Sequence, residues 1–267
     1  MSLQNKVFVV TGAGNGIGRD VALELVRRGA KVAGVDINPQ WLEETKSLAG
    51  NASEHFSAHA VNITDRDRVM ALPDEVSDIH GPVDGLINVA GIIQPFVRVN
   101  DLDFESIDRV MNVNFFGVLN LIKAFLPGLL SRPEAHLVNT SSMGSYAPVP
   151  GQTLYGASKA AVNLLTEGLR SELRGTSVAV TLVFPGAIGT NIAGNSGLSM
   201  TADSQDSPKM KMVSPAEAAR LIVDATEAKK KRILVGSDAK TMYRLTKLNQ
   251  DFAANLIYQG MKSLLPK

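Results

Sequence analysis

Short apolar runs alternate with amphipathic helical patterns along nearly the whole chain, and this alternation limits the possible folds more than any other feature. The runs are rich in Val, Ile and Leu, which is typical of strands buried on both faces of a parallel sheet. Helical patterns between such strands predict βαβ units with right-handed crossovers. The predicted strands lie at 7–10, 32–35, 59–61, 86–89, 137–139, 178–184 and 233–235, and the predicted helices at 17–28, 41–49, 66–78, 104–130, 154–174 and 216–229. We expect an α/β fold: a doubly wound parallel sheet of about seven strands with helices on both faces.

Composition excludes several classes of function. The 267 residues include 27 basic and 26 acidic side chains, so the net charge of +1 gives no general attraction for nucleic acid. The chain has no cysteine, which excludes disulfides, thiolate zinc sites and cysteine nucleophiles and fits a reducing compartment. Because we find neither a signal-like segment nor an apolar run near the ~18 residues of a membrane span, we expect a cytoplasmic protein.

His55 and His59 have the four-residue spacing of helical metal ligands. They lie in a predicted strand, however, where positions four apart are separated by about 13 Å. No acidic side chain completes a site, and we therefore expect no metal.

A glycine-rich turn follows the first predicted strand and opens the first predicted helix. It contains Gly12, Gly14, Gly16 and Gly18. Glycine permits a tight turn and a close backbone approach to a pyrophosphate, while the helix N-terminus directs free N–H groups at that anion. Because the pattern stands between a strand and a helix, it favours a dinucleotide site over a structural turn. The expected sheet is therefore of the Rossmann type.

Asp36 closes the second predicted strand, 18 residues after Gly18. A carboxylate at this place can accept hydrogen bonds from the adenosine ribose hydroxyls and repels a 2′-phosphate. Ile37 follows where an NADP site would favour a basic side chain, and the only nearby cation is Arg19, which we expect on a solvated first helical turn. The pattern favours NAD over NADP, with a strand-end cap to the next helix as the structural alternative.

Tyr155 and Lys159 are four residues apart in the predicted helix 154–174, so they share a helix face. An ammonium beside a phenol stabilises the phenolate and lowers the phenol pKa from its usual ~10 toward neutral pH. Tyr155 is then a candidate general acid and base for the interconversion of an alcohol and a carbonyl compound. Without the glycine turn, the pair would indicate no more than a solvated helix face.

Taken together, these features resemble the short-chain dehydrogenase/reductase family, of the type with a Tyr-x-x-x-Lys pair. The resemblance extends over residues 5–236, and the order of the segments and the 13 residues from Ser142 to Tyr155 both fit. The matching segments are 11–18, 88–91, Asn114, Ser142, 155–159 and 185–190.

The resemblance implies a role for each of four catalytic positions. Tyr155 would exchange a proton with the substrate oxygen, and Ser142 would hydrogen-bond that oxygen. Lys159 would lower the pKa of Tyr155 and bind the nicotinamide ribose. Asn114 would distort the long helix locally and hold a water that relays protons from Lys159. Ser141 is the adjacent alternative, but the spacing to Tyr155 favours Ser142.

The same resemblance implies an extended site for NAD. Ile188 and Thr190 would contact the nicotinamide carboxamide, and Asn88 would stabilise the loop on the adenosine side. The expected cofactor-binding set is Gly12, Gly14, Asn15, Gly16, Ile17, Gly18, Asp36, Ile37, Asn62, Ile63, Asn88, Ala90, Gly91, Tyr155, Lys159, Pro185, Gly186, Ile188 and Thr190.

Two positions depart from the family pattern. The usual Asp near the adenine amino group is Asn62 here, which retains an acceptor oxygen and adds a donor, so we expect adenine binding to survive. The second Asn of the Asn-Asn-Ala-Gly segment is Val89, which we expect to adjust packing only.

The activity implied by the resemblance is hydride transfer between NAD(H) and a secondary alcohol or ketone. The expected substrate contacts are mostly apolar and lack a charged anchor, which favours a hydrophobic, uncharged substrate. They are Ile93, Gln94, Ser142, Met143, Val149, Gln152 and Tyr155. One alternative is a 3-oxoacyl-thioester reductase, although such enzymes usually use NADPH and Asp36 argues against that cofactor. Another is a non-catalytic NAD-binding sensor or scaffold.

Two segments lie outside the strand–helix alternation of the single domain expected over residues 1–267. Residues 187–213 are rich in Gly, Ser, Met and Asp and are expected to form a substrate lid; a surface insertion is the alternative. Residues 238–267 are expected to form a C-terminal helical extension. It could pack on protein, which we favour, or rest on a membrane surface through Lys240, Arg244, Lys247 and Lys262.

The long predicted helix 104–130 is apolar on more than one face, so one face needs a partner other than the sheet. The following helix offers Ala157, Ala160 and Ala161, which permit close approach. We expect a homodimer or homotetramer that pairs through these helices, as the resemblance also implies.

Overall fold

The computed structural model describes residues 1–196, 212–262 and 265. The strands in this part of the chain are β1 (Val7–Thr11), β2 (Lys31–Asp36), β3 (Phe56–Ala60), β4 (Gly85–Asn88), β5 (Ala135–Thr140), β6 (Val178–Pro185) and β7 (Arg232–Val235). All pair in parallel within one sheet, in the order β3-β2-β1-β4-β5-β6-β7. The predicted doubly wound, seven-stranded sheet is confirmed.

Helices connect and flank the strands. They are α1 (Gly16–Arg27), α2 (Pro39–Leu48), α3 (Arg66–His80), α4 (Phe104–Met111), α5 (Val118–Leu130), α6 (Thr153–Glu172), α7 (Ile192–Asn195), α8 (Pro215–Glu227), α9 (Ser237–Leu248) and α10 (Gln250–Met261). Short 3₁₀ turns lie at Gly50–His55, Val99–Asp101 and Met143–Ser145.

The order of the strands reverses beside β1. From β1 the chain proceeds outward through β2 and β3, then returns to pair β4 on the other side of β1, from Phe8↔Gly85 to Thr11↔Asn88. Ligands of open α/β sheets bind at the carboxyl ends of the strands at such a switch point. The loops after β1, β2, β4, β5 and β6 therefore surround the expected site.

Two apolar cores lie on opposite faces of the sheet because successive side chains of a strand point to opposite sides. Val7 and Val9 of β1 pack in the core that includes α3 and α5. Phe8 and Val10 pack in the core that includes α1 and α8. All five residues of β1 are buried, as predicted for a strand covered on both faces.

The predicted helix 104–130 is continuous but contains a π-helical turn at Asn112–Gly117, which separates α4 from α5. Among the described residues, Phe104–Leu130 is the one helix long and apolar enough to cross a membrane by length and composition. The sequence pattern predicts no such segment, because polar residues interrupt the apolar run. The mean hydropathy over the helix is nevertheless high enough for one. Leu121, Phe125 and Leu129 are buried in the core, and we interpret the segment as a core helix.

Several boundaries differ from the expectation, most clearly at β3 and in the tail. β3 spans Phe56–Ala60 rather than 59–61, because its pairing with β2 begins at Val32↔Phe56. His55 ends a 3₁₀ turn and is not part of the strand. The tail forms two helices rather than one pattern, because Asn249 is extended and its side chain accepts a hydrogen bond from the Phe252 N–H, 2.9 Å away, which starts α10.

The expected lid at 187–213 is described only at its two ends. Residues 187–196 include the short helix α7, and Ile188 forms a parallel bridge with Val213. Residues 197–211, which include Met200 and Met210, lie outside the described residues, as do residues 263, 264, 266 and 267 of the tail. The lid therefore stays a prediction.

Candidate active site

The glycine-rich turn has the close contacts that its sequence predicts. Gly12 and Gly16 adopt φ values of +69° and +54°, which other residues seldom adopt. A Cβ at Gly12 would lie 3.1 Å from the backbone of Ala90, and one at Gly18 would overlap the Gly12 carbonyl. Asn15 caps α1 by accepting a hydrogen bond from the Gly16 N–H, 2.7 Å away. The turn thus brings bare backbone to the start of α1.

A cavity of about 560 Å³ opens above this turn, within the 300–1,000 Å³ usual for small-molecule sites. Its walls come from the loops after β1, β2, β3, β4 and β6. The expected cofactor residues that line it are Gly12, Asn15, Gly16, Ile17, Gly18, Asp36, Ile37, Asn62, Ile63, Ala90, Gly91 and Thr190. The cleft thus combines bare glycine backbone, one carboxylate and apolar walls. This combination fits a dinucleotide.

Asp36 lies in the wall of the cavity at the end of β2. One carboxylate oxygen accepts from the Gly14 N–H and the other from the Asn38 N–H, each at 3.0 Å. Two N–H donors fix the direction of the carboxylate without neutralising its charge. The carboxylate thus caps the end of the strand and also faces the cavity. A strand-end cap and ribose binding are therefore compatible roles for Asp36.

Arg19 does not lie on a solvated helical turn as expected. Its Nε donates to the Gly14 carbonyl at 2.8 Å and to the Thr45 hydroxyl at 3.1 Å, and its Nη2 pairs with Glu44 at 2.9 Å. The side chain is only 20% exposed. The guanidinium thus ties α2 to the glycine-rich turn, which the helix pattern by itself does not indicate.

The turn after β3 forms the wall of the cleft where the adenine is expected. The Asn62 amide oxygen accepts from both the N–H and the hydroxyl of Thr64, at 3.1 and 2.9 Å. Ile63 is buried between the cavity and α5, where the Asn120 amide donates to its carbonyl at 3.2 Å. The substitution of Asn for the family's Asp therefore keeps an ordered turn at the cavity wall.

The loop after β4 is held to β1 by a threonine hydroxyl. Thr11 Oγ1 accepts from the N–H groups of Val89 and Ala90, at 3.1 and 3.2 Å. Asn88 is buried and donates to the Asn139 amide oxygen at 2.8 Å. Asn88 thus joins the end of β4 to β5, and its role in stabilising the loop stays a prediction. Val89 packs against the core as an apolar neighbour.

Ser142 and Tyr155 meet where β5 ends and α6 begins. The Ser142 hydroxyl accepts from the Gly144 N–H at 3.1 Å and is hydrogen-bonded to the Tyr155 phenol. Gly144 lies against both side chains, since a Cβ there would be 3.6 Å from the hydroxyl oxygen and 3.6 Å from the ring. Ser141 points elsewhere: it is buried and donates to the Lys159 carbonyl at 2.8 Å. Ser142, not Ser141, faces the phenol.

Lys159 is buried one helical turn after Tyr155, and its ammonium donates to the Thr140 carbonyl at 3.2 Å. Burial lowers the pKa of Lys159 to about 8, because the charged form loses hydration. Gly91 lines the cavity and lies against the Lys159 ammonium, since a Cβ at Gly91 would be 3.0 Å from the Lys159 Nζ.

The pKa of Tyr155 differs from the expectation. Burial raises the pKa above its usual value, the hydrogen bond from Ser142 opposes that rise, and the Lys159 ammonium is not among the groups that shift it. The helical spacing correctly placed the two residues on one face. Burial of the phenol, which the spacing does not reveal, raises the pKa that Lys159 was expected to lower. In this structure the tyrosine is a phenol at neutral pH.

Asn114 lies in the π-helical turn and is fully buried. Its amide oxygen accepts from the Ile92 N–H at 2.9 Å, and its amide nitrogen donates to the Ile92 carbonyl at 2.9 Å and the Ser158 hydroxyl at 3.0 Å. These bonds connect the loop after β4 with the catalytic helix α6. The local distortion expected at Asn114 is present, and its proposed water stays a prediction.

The segment after β6 forms the remaining wall of the cleft. The Gly186 N–H donates to the Val235 carbonyl at 2.8 Å, which keeps the segment beside β7 beyond Pro185. Thr190 lines the cavity and packs against the glycine-rich turn, since its methyl group would be 3.4 Å from a Cβ at Gly16. Ile188 packs against the core on the α1 side.

Gln94 and Gln152, both expected to contact substrate, are buried instead. Gln94 has no exposed surface, and its amide oxygen accepts from the Leu154 and Tyr155 N–H groups at 2.8 and 3.0 Å. Gln152 donates to the Gln94 carbonyl at 2.7 Å. Gln94 thus caps the N-terminus of α6, a role that no spacing pattern indicates because the two partners are 60 residues apart.

The other expected substrate residues are Ile93, Met143 and Val149. Ile93 is buried, and its N–H donates to the Ser196 hydroxyl at 3.0 Å, whereas Met143 and Val149 are half-buried. Their contact with a substrate stays a prediction. The cavity also contains residues that the sequence analysis did not select. They include Trp41, Thr64, Arg109, Asn112 and Val113. Arg109, Asn112 and Val113 lie within five residues of Asn114, which is the signal that would have pointed to them.

The chain is similar to known oxidoreductases. The family model described as short chain dehydrogenase matches residues 6–200. A protein of Mycobacterium tuberculosis named "Putative oxidoreductase SadH" is 35% identical over 99% of this chain and 98% of its own length. The 3-oxoacyl-[acyl-carrier-protein] reductase FabG of Thermotoga maritima is 35% identical over 71% of this chain and 77% of its own length.

Solved structures show the same architecture. A short chain dehydrogenase/reductase from Burkholderia phymatum, solved with NAD, has a TM-score of 0.84 and 26% identity and covers 94% of this chain and 95% of its own. One from Burkholderia cenocepacia, solved with NADP, has a TM-score of 0.80 and 25% identity and covers 96% of this chain and 99% of its own. Such neighbours support a nicotinamide cofactor. The chain belongs to the short-chain dehydrogenase/reductase family of oxidoreductases.

Proposed function

We propose that the protein is an NAD-dependent oxidoreductase that interconverts a hydrophobic secondary alcohol and its ketone, with Tyr155 as the general acid and base. The observation that carries this proposal is the hydrogen-bonded pair of Ser142 and Tyr155, with Lys159 one helical turn away against Gly91 in the wall of the cavity that the glycine-rich turn and Asp36 also line. Each group lies at the carboxyl ends of the strands, where ligands of this fold class bind.

A bound nicotinamide would supply the hydride chemistry, and the residues of this chain would position the substrate and move its proton. In the reducing direction, Tyr155 donates its phenol proton to the carbonyl oxygen of the substrate. Its raised pKa suits this role, because the phenol keeps its proton at neutral pH. Ser142 donates a hydrogen bond to the same oxygen and fixes its direction. Lys159 binds the ribose hydroxyls beside Gly91.

Asp36 supports NAD as the preferred cofactor. Its carboxylate lies in the cavity wall and repels a 2′-phosphate, and Arg19 is paired with Glu44 rather than directed at that position. Asp36→Asn removes the charge with little change of shape. We expect the preference for NAD over NADP, measured as the ratio of kcat/KM values, to fall by about tenfold or more. An unchanged ratio would contradict the role of Asp36.

The reaction is tested with purified protein and a panel of hydrophobic secondary alcohols and ketones, each with NAD(H) and NADP(H). Tyr155→Phe is the matched control, since it removes only the phenol oxygen. We expect turnover by the wild type, and a loss of kcat of at least about 100-fold in the variant with little change in NADH binding. The hypothesis fails if both proteins turn over no substrate, or if both are equally active.

A 3-oxoacyl-thioester reductase is the second candidate, because the FabG relative from Thermotoga maritima is 35% identical to this chain. The same panel separates the two hypotheses when it includes 3-oxoacyl thioesters. A higher kcat/KM for a thioester with NADPH than for any simple ketone with NADH would favour the reductase. The opposite ranking supports the proposed alcohol dehydrogenase.

The proposal includes a cytoplasmic homo-oligomer. The outer face of the α4–α6 region presents apolar side chains, among them Phe104, Phe116 and Leu164, with exposed fractions of 83%, 45% and 75%. A second copy of the chain that packs on this face would cover them.

A further inference from the structure

The first turn of α9 contacts the segment after β6, although α9 belongs to the C-terminal extension and has no part in the catalytic motifs. Asp238 is the second residue of α9, and one of its carboxylate oxygens accepts from the Ala187 N–H at 2.6 Å. A hydrogen bond from a backbone N–H to a carboxylate is stronger than one between neutral groups. It joins α9 to residues 186–190, which end at Thr190 in the cavity wall.

Two glycines make room for this carboxylate. A Cβ at either Gly186 or Gly236 would overlap an oxygen of Asp238. Gly236 also adopts a φ of +105°, which disfavours any other residue there. The backbone on both sides therefore packs closely against the half-buried Asp238 side chain.

A second set of contacts attaches the same helix to the catalytic serine loop. The Tyr146 hydroxyl, four residues after Ser142, donates to the Ala239 carbonyl of α9 at 2.9 Å. Its ring packs edge-on against Phe184 of β6 and Tyr243 of α9, with centroids 5.4 and 5.3 Å apart. The first turn of α9 is thus attached both to the Ser142 loop and to the segment after β6.

We propose that Asp238 is a positioning residue that holds residues 186–190 against the nicotinamide end of the cofactor, so that the C-terminal extension forms part of the active-site support. The proposal rests on the proposed NAD function. Asp238 would contact neither the substrate carbon nor the nicotinamide carbon between which the hydride moves. It acts through the Ala187 N–H. Tyr146 fixes α9 relative to Ser142, so the distance between the catalytic groups and the cofactor wall depends on this helix turn.

Three full-length variants test the proposal. Asp238→Ala removes the acceptor, Asp238→Asn keeps an acceptor oxygen, and Lys240→Ala changes an exposed residue of the same helix. The measurement is the Kd of NADH, from the fluorescence of the nicotinamide. We expect a rise of about tenfold for the alanine variant, from the loss of one charge-assisted hydrogen bond. The other two variants should stay within about threefold of the wild type.

Amide hydrogen exchange gives a second readout that needs no cofactor. In the ligand-free protein, the Ala187 amide should exchange about tenfold faster in Asp238→Ala than in Asp238→Asn or wild type. Wild-type affinity together with wild-type exchange in the alanine variant would overturn the proposal. If Asp238→Ala does not fold, Asp238→Ser replaces it. The serine keeps a polar side chain, but its hydroxyl is too short to accept from the Ala187 N–H. Failure of the wild type to bind NADH would refute the proposed function, while the exchange experiment would still test Asp238.

Discussion

At the scale of single residues, Lys159 is the group whose charge is most costly in the candidate site. Its pKa falls from the usual 10.5 to about 8, so the folded protein binds the proton less tightly than the unfolded chain does. Between pH 8 and 10.5 the unfolded state therefore carries more protons, and stability rises with pH. Below pH 8 both states are protonated, and the full cost of the buried ammonium is present.

This sign gives a testable separation of function from stability. Lys159→Met removes the ammonium and keeps the aliphatic stem, so we expect at least about a 100-fold loss of kcat/KM but no loss of thermal stability at pH 7. The Tm difference between variant and wild type should narrow as the pH rises from 7 to 9.5. Thermal unfolding followed by circular dichroism measures it. A difference that widens with pH would show that burial does not disfavour the charge.

Gln94, expected to contact substrate, caps the N-terminus of α6 instead. Its amide oxygen satisfies two N–H groups at the start of α6, one of them that of Tyr155 itself. Gln94→Met keeps the length of the side chain and removes the acceptor. We expect the free energy of unfolding to fall by about 1–3 kcal/mol, as for buried donors left unsatisfied.

The catalytic consequence of Gln94→Met should be a lower kcat with little change in the KM for NADH, because Tyr155 shifts while the cofactor cavity is unaffected. Urea unfolding and steady-state kinetics provide the two measurements. Gln40→Met, at an exposed position of α2, is the matched control and should be neutral in both. A Gln94 variant as stable and active as the control would show that the helix cap is dispensable.

At the scale of elements, α6 has two functions on two faces. Its inner face carries Ser158, Lys159 and Val162 into the core, while Leu164 on the outer face is 75% exposed. The π-helical turn beside it similarly buries Asn114 and leaves Phe116 45% exposed. This apolar surface beside α6 supports the proposed homo-oligomer, in which a partner copy would cover it.

Leu164→Glu places a charge on the proposed interface. We expect it to convert the proposed oligomer to a smaller species, because the interface would then bury a carboxylate without a partner. Light scattering after size-exclusion chromatography measures the mass. Leu48→Glu, at a 61% exposed position of α2 away from this face, should leave the mass unchanged. Equal masses for wild type and Leu164→Glu would place the interface elsewhere.

At the scale of the whole molecule, the cofactor cleft draws its walls from five loops at one edge of the sheet. A cofactor bound there should stabilise the native state as a whole. At an NADH concentration of 100 times Kd, we expect about 2.7 kcal/mol of added stability and a Tm rise of about 5–10 °C. Differential scanning fluorimetry checks this, with NADPH at the same concentration giving the smaller shift. Equal shifts would argue against the discrimination by Asp36.

The sequence by itself determined the fold class and most of the cofactor cleft. Strand and helix periodicity are local properties, and a glycine that must approach a phosphate is recognisable from its neighbours. Twelve of the expected cofactor residues line the cavity: the glycine-rich turn and Asp36 follow from local patterns, whereas residues such as Asn62, Ala90 and Thr190 were implied by the family resemblance. The four-residue spacing likewise placed Tyr155 and Lys159 on one face. The boundaries of β3 and the break at Asn249 were less accessible, since pairing register and capping decide them.

Only the tertiary structure decided the roles that depend on contacts between distant segments. Gln94 reaches α6 across 60 residues, Asp238 reaches Ala187 across 51, and Arg19 turns to Glu44 rather than to solvent. The pKa of Tyr155 belongs with these, because desolvation depends on everything packed around the phenol and not on the residue four positions later. Periodicity predicts which residues share a face, whereas burial and hydrogen-bond partners depend on the whole fold.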